Sequence, residues 1–186
     1  MPLSIEKQKA VQKYTPIWVN IFKKLGVEDR IISYIIPQLI LESDWFTSPV
    51  FLANNNPGGV TWNNWYTNRP GASKGSARPP REGGNYVKFD TLENAGKDIV
   101  RILSRKPGEP IKALTIDDYA VGLAKNGYYD QRLTKPENYT NTLKSIYNTL
   151  NQYVDVAALL KKKFELLSAI SILPIFLLVW LFLKDK

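Results

Sequence analysis

The sequence predicts a mainly α (α+β) chain: a helical domain with a small irregular β lobe, plus one C-terminal transmembrane helix. Three observations carry this reading. Apolar residues recur at spacings of three and four through residues 17–25, 31–40, 92–103, 116–125 and 139–153, as expected for helices with a buried face. Between Phe51 and Tyr86 that period fades, and Pro70, Gly71, Gly75, Pro79, Pro80, Gly83 and Gly84 favour irregular chain. Residues 166–183 then run without a single charge.

Residues 1–15 hold Glu6, Lys7, Lys9 and Lys13 and no long apolar run, so a surface helix starting near Ser4 is expected rather than a secretion signal. Thr15-Pro16 reads as a cap followed by a first-turn proline. A second helix is expected from there, buried through Ile17, Ile21, Phe22 and Leu25 and ended by Gly26. Residues 1–30 are thus expected to be N-terminal helices packed on the core.

The next helix carries Ile31, Ile32, Ile35, Ile36, Leu39 and Ile40 on a broad apolar face, with Pro37 expected to kink it. Glu42 follows that face directly. A carboxyl between Leu41 and Trp45 should be partly desolvated, and its pKa raised towards that of a working general acid. Asn54-Asn55-Asn56-Pro57-Gly58-Gly59 spells a sharp loop, and residues 60–65 and 85–89 are expected strands. Helices return at 92–103, 116–125 and 139–153.

Residues 154–163 read as a basic linker ending in Lys161-Lys162-Lys163, and residues 164–184 as a membrane anchor. The 18 uncharged residues would span roughly 27 Å as a helix, near the ~30 Å of bilayer hydrocarbon. Trp180 and the flanking lysines suit the two interfaces.

There is no cysteine and no histidine. That excludes disulfides, Cys/His and Ser/His/Asp nucleophile systems, and His-ligated zinc. Carboxylate and tyrosine chemistry remain, which suit cleavage of a glycosidic bond. No metal or cofactor is expected. The formal net charge of +8 favours an anionic partner, although no nucleic-acid-binding motif is present and none is expected to bind. Arg69, Lys74, Arg78, Arg81 and Lys88 crowd one stretch in which Glu82 is the only acid.

Three separated pieces resemble the glucosaminidase family of peptidoglycan hydrolases, glycoside hydrolase family 73 of the lysozyme-like superfamily. Gln38-Leu39-Ile40-Leu41-Glu42-Ser43-Asp44-Trp45 is similar to its Q-A-x-L-E-S-G-W. Asn55-Asn56-Pro57-Gly58-Gly59-Val60 is similar to its N-N-x-F-G-I loop. Phe89-Asp90-Thr91, Tyr119-Ala120, Gly127-Tyr128 and Tyr139 resemble its closing elements. The resemblance covers roughly Ile31 to Leu150, and residues 31–153 are read as the catalytic domain.

It implies that Glu42 is the general acid and that Tyr139 supports the reacting sugar or its N-acetyl group. Glu82 is the candidate base. Asn55, Asn56 and Gly59 would shape the cleft floor, with Trp62, Trp65 and Tyr128 as further substrate-binding candidates. Each has a structural rival: Glu82 neutralising Arg78 and Arg81, Tyr139 and the tryptophans packing, the asparagines forming a turn. Asp44 departs from the family glycine and either points away from Glu42 or raises its pKa further.

The resemblance implies hydrolysis of the β-1,4 bond after N-acetylglucosamine in peptidoglycan glycan strands. The alternatives are a muramidase or lytic transglycosylase of similar fold, or an inactive sugar-binding or structural membrane protein. With the anchor, the expectation is a single-pass protein of a phage virion membrane acting in local wall lysis, or alternatively of the bacterial inner membrane.

Overall fold

The computed structural model describes residues 2–129 and 134–162. Seven helices and one hairpin are found there: α1 (Ile5–Lys24), α2 (Asp29–Glu42), α3 (Pro49–Asn54), β1 (Ala72–Ala77), β2 (Asn85–Phe89), α4 (Leu92–Leu103), α5 (Ile116–Lys125), α6 (Pro136–Leu150) and α7 (Val156–Lys161). Short 3-10 turns occupy Asn64–Tyr66 and Pro110–Lys112.

α2 is the centre of the domain. Its six consecutive residues from Ile35 to Ile40 are all buried, as are Ile31 and Ile32. A helix apolar on nearly every side has to be wrapped, and α1 and α6 both pack on it, with α5 against α6 and α4 against α1. Trp18 and Phe22 of α1, Leu103 of α4, Tyr119 and Leu123 of α5, and Leu143 and Leu150 of α6 close the core. The helix runs on through Pro37.

The N-terminal region differs from the expected pair of helices. Ser4 caps α1 by accepting from the Lys7 amide at 3.3 Å, but the helix continues through Pro16 to Lys24. Thr15 is an interior, fully buried residue rather than a cap. The reason lies in the side chains: Val11, Thr15, Trp18 and Phe22 form one stripe across the proline. Burying that stripe outweighs the hydrogen bond that Pro16 cannot make. Gly26, at φ +73°, ends the run as expected.

The lobe is likewise rearranged. Residues 60–65, expected as a strand, give only one bridge, Thr61 to Tyr86, before Asn63 caps the 3-10 turn at Asn64–Tyr66. The partner of β2 is instead β1, in antiparallel register with Ala72 opposite Phe89, Ser73 opposite Lys88 and Lys74 opposite Val87. β1 reads Ala-Ser-Lys-Gly-Ser-Ala, polar and without apolar alternation, so periodicity could not reveal it. Gly75 is required there, because a Cβ would collide with the Asn54 side chain.

The stretch 154–163, expected as a linker, contains α7 in its described part. Asp155 caps that helix, Val156 is buried, and it packs on α1. Among the described residues no helix is long and apolar enough to cross a membrane. The expected anchor at 164–184 lies outside the described residues.

Candidate active site

Glu42 is the last residue of α2, and the chain turns sharply after it. Ser43 is buried and works twice: its hydroxyl donates to the Leu39 carbonyl at 2.6 Å and accepts from the Phe46 amide at 3.0 Å. Asp44, Trp45 and Phe46 then follow with φ of 48°, 61° and 63°, a left-handed turn made without glycine. Such backbone is unfavourable for side-chain-bearing residues and needs support from its surroundings.

The support is visible. Phe46 is 0% exposed and lies against Tyr14 and Phe51, with ring centroids at 5.8 and 5.6 Å. The Trp45 amide donates to the Ile40 carbonyl at 2.8 Å. Asp44 points to α1, where Lys7 Nζ meets its Oδ1 at 2.6 Å. That contact turns the Asp44 carboxylate towards α1, so of the two expectations for this residue the outward one fits.

The Tyr139 hydroxyl donates to Glu42 Oε1 at 3.3 Å. Burial raises the Glu42 pKa above the ordinary carboxylate value, and the Tyr139 hydrogen bond opposes that rise as the smaller effect. As a whole residue Glu42 is exposed, while its carboxyl end is crowded by protein atoms. The crowding at the carboxyl governs acidity, so the raised direction stands.

Tyr139 itself is 6% exposed, and its ring stacks on Tyr129 at 4.5 Å and 14°. Tyr128 is held far above the usual phenol range by burial first and the nearby Glu42 charge second, while a hydrogen bond with Gln38 works the other way. Gln38 also accepts from the buried Tyr119 hydroxyl. Glu42, Tyr139, Tyr128, Gln38 and Tyr119 therefore form one polar seam between α2, α5 and α6. Gln38, Tyr119 and Tyr129 were not assigned roles from the sequence. The signal for Gln38 was available, since it lies four residues before Glu42 and so on the same helix face.

The asparagine loop lies over this seam. Tyr128 Oη sits 3.5 Å from where a Gly58 Cβ would be, so the loop backbone passes close above it. Asn56 is 1% exposed and spends its amide on the protein. Its nitrogen donates to the Val60 and Val87 carbonyls, both at 2.9 Å, and its oxygen accepts from the Val60 amide at 2.9 Å. Asn55, left-handed at φ 51°, donates to the Phe89 carbonyl at 2.8 Å. Gly59 supplies a second positive φ, +59°. These residues pin the loop to β2. The Asn56 amide keeps no free polar group for a ligand.

Glu82 lies in the turn between β1 and β2. It pairs with Arg78 at 2.5 Å, the neutralising contact weighed above. Trp62 is half-buried and stacks on Tyr66 at 6.0 Å. Trp65 is 50% exposed, but the Arg69 guanidinium lies 3.7 Å from its ring centroid and Arg101 lies at 5.1 Å. Sugar stacking on Trp65 would have to displace a cation already held there.

A helical domain holding a carboxyl of raised pKa beside buried tyrosines, with a hairpin lobe, has the makings of a lysozyme-like glycosidase, and the comparisons agree. The structure resembles the catalytic domain of the autolysin Auto from Listeria monocytogenes, with a TM-score of 0.51 and 20% identity over 83% of this chain and 90% of that one. That likeness concerns the fold. Comparison with curated proteins gives no match. Residues 16–152 match the glucosaminidase family, described as mannosyl-glycoprotein endo-beta-N-acetylglucosaminidase. The chain belongs to the glucosaminidase family and is a glycosidase, carrying the hydrolase domain of the peptidoglycan-cutting family its motifs resemble. The match begins at residue 16, inside α1, and ends at residue 152, just past α6.

Proposed function

We propose that this domain hydrolyses the β-1,4 bond after N-acetylglucosamine in peptidoglycan, with Glu42 as the general acid. The observation that carries this is the Glu42 carboxyl, raised in pKa by burial and hydrogen-bonded through one oxygen to Tyr139. With Oε1 engaged, Oε2 is the oxygen that carries the transferable proton. As the bond from C1 to the departing oxygen breaks, that proton passes to the leaving oxygen and Glu42 becomes a carboxylate.

The N-acetyl carbonyl oxygen of the same sugar forms the new bond to C1. Water then attacks C1, gives its proton back to Glu42, and reopens the ring so formed. Tyr139 steadies the acetamido group and the acid together. This route needs no second protein carboxylate. It is favoured over water activation by Glu82, whose carboxylate is committed to Arg78 at the hairpin turn.

Glu42→Gln tests the assignment. Release of reducing ends from purified walls should cease, and activity retained at the parent level would remove Glu42 from the role. Proton NMR of fresh product should show the retained β anomer, and Glu82→Gln should stay active. An inverted product with an inactive Glu82→Gln would reinstate Glu82 as base. An anhydro sugar end in the product mass spectrum would point to a lytic transglycosylase.

We also propose that residues 164–184 anchor the domain in a bilayer, the membrane of a phage virion. Recovery of the protein in purified virions, with lytic activity lost on detergent extraction, is the expected result. Its absence from particles would count against that setting.

A further inference from the structure

A pocket lined by none of the Glu42 seam residues lies where the turn after Asn64–Tyr66 meets α4. It is open, about 330 Å³ in volume, and Arg69, Lys97 and Arg101 bring three cationic side chains to it. Its one carboxylate, Asp98, is already spent: Oδ1 accepts from Arg101 Nε at 2.7 Å, and Oδ2 from the Tyr66 hydroxyl at 2.8 Å. Lys97 reaches Glu93 at 3.4 Å with both side chains more than half exposed, a pair that holds weakly against competition.

Arg69 makes no ion pair among the described residues. Its guanidinium lies 3.7 Å from the Trp65 ring centroid and makes no side-chain hydrogen bond among the described residues, which leaves its donors available. Asn94 adds a neutral amide without a side-chain hydrogen-bond partner among the described residues. It occupies the space that a Cβ on Gly71 would need, and Gly71 at φ +79° makes room for it. The pocket thus offers a stacked guanidinium, an ammonium and an amide around a volume that suits a small anionic group.

We propose that this pocket binds a carboxylate of the short peptide carried by the wall glycan, an inference that rests on peptidoglycan being the substrate. The residues between the two sites support it. Gly58 lies over Tyr128 beside Glu42, and Tyr66, eight residues on, lines the pocket. Even fully extended, that segment spans less than about 29 Å. A glycan strand cleaved at Glu42 and running towards this lobe would carry its side peptides within reach of Arg69 and Lys97. The site would add wall affinity without touching the reacting atoms.

The test is co-sedimentation of the full-length chain, in detergent and in the cold, with insoluble walls in three forms: intact, stripped of phosphate polymers, and stripped of peptides by an amidase. The double variant Arg69→Gln, Lys97→Gln removes both charges, keeps a polar side chain at each position and leaves the buried Asp98–Arg101 pair intact, and its circular dichroism confirms folding. It should bind intact walls roughly tenfold more weakly, the order expected for losing two exposed charge-assisted contacts. The same deficit should persist without phosphate polymers and vanish on peptide-free walls.

Equal binding of parent and variant to intact walls overturns the proposal. So does a deficit that disappears only when phosphate polymers are removed, which would assign the pocket to those polymers instead. The measurement needs no turnover. A parent that binds through Arg69 and Lys97 but releases no reducing ends would indict the Glu42 mechanism and leave the pocket standing.

Discussion

Replacing Asp44 by glycine, asparagine and alanine separates the two forces acting on the turn beside the acid. Asp44 sits at φ 48°, a left-handed conformation that costs an L residue about 1–2 kcal/mol, with Asp and Asn towards the lower end. Its carboxylate also meets Lys7 at 2.6 Å, but the two side chains are 62% and 30% exposed, so the pair contributes about 0.2–1 kcal/mol. Glycine removes the strain and the ion pair together. It also adds about 0.5–1 kcal/mol of unfolded-state entropy, which leaves Asp44→Gly close to the parent. Asparagine keeps the left-handed tolerance and loses only the charge, so it should fall below the parent by no more than about 1 kcal/mol. Alanine keeps the Cβ penalty and loses every compensation, and should fall lowest, by about 1–2 kcal/mol. For a chain of this size that is roughly 2–8 °C in Tm. Urea melts at neutral pH give the ranking: parent and glycine together, asparagine slightly below, alanine last. If Asp44→Gly is less stable than Asp44→Ala, the turn is not limited by left-handed strain and the reasoning is wrong.

Two further perturbations follow from the same geometry. Tyr139→Phe removes the hydrogen bond that lowers the Glu42 pKa and leaves desolvation unopposed. The acid then keeps its proton to higher pH, so the alkaline limb of kcat/KM against pH should move upward; a downward shift would contradict the assigned sign. Asn56→Ala leaves the Val60 amide without its partner in a buried site and takes a donor from the Val60 and Val87 carbonyls, the first of which keeps the Val87 amide at 2.8 Å. It should cost at least about 2 kcal/mol in urea unfolding and, by loosening the loop over Tyr128, lower kcat/KM as well; a change below about 0.5 kcal/mol would mean the loop is held by something else.

The elements with strong period and clear caps were legible in the sequence. α4 and α5 match their expected residues, Leu92–Leu103 and Ile116–Lys125, because Thr91 and Thr115 cap them with side-chain hydrogen bonds to Asn94 and Asp118. The isoleucine face of α2 likewise placed Glu42 at a helix end. What failed was local grammar overruled at long range. Thr15-Pro16 has the spelling of a helix start, and only the shared burial of Val11 and Trp18 shows that the helix runs through it. β1 carries no apolar pattern, because its place is set by the Asn54 side chain bonding Ser76 at 2.8 and 3.0 Å, a contact 22 residues away. At the site, Glu42 and Tyr139 were read together only through resemblance; 97 residues separate them, and no spacing rule reaches that far.

α1 also fixes how an anchored domain would be held. Near its start, Lys7 contacts Asp44, two residues from the proposed acid. Near its end, Lys23 donates to the Leu160 carbonyl and to the Lys162 carbonyl at 3.0 Å, where the described chain stops just short of the uncharged run. Sixteen residues of helix separate the two lysines, or roughly 24 Å at about 1.5 Å per residue. With α7 packed against α1 rather than trailing as a loose linker, that distance is a rigid offset. An anchor at 164–184, as proposed above, would follow the Lys23 end of α1, roughly 24 Å along that helix from the Lys7–Asp44 contact. Reach into the wall would then be limited by the length of α1. Inserting a flexible segment after Lys162 should extend the depth of wall degraded from a membrane-bound enzyme while leaving activity on soluble glycan unchanged. If the insertion changes neither, the rigid offset plays no part in reaching substrate.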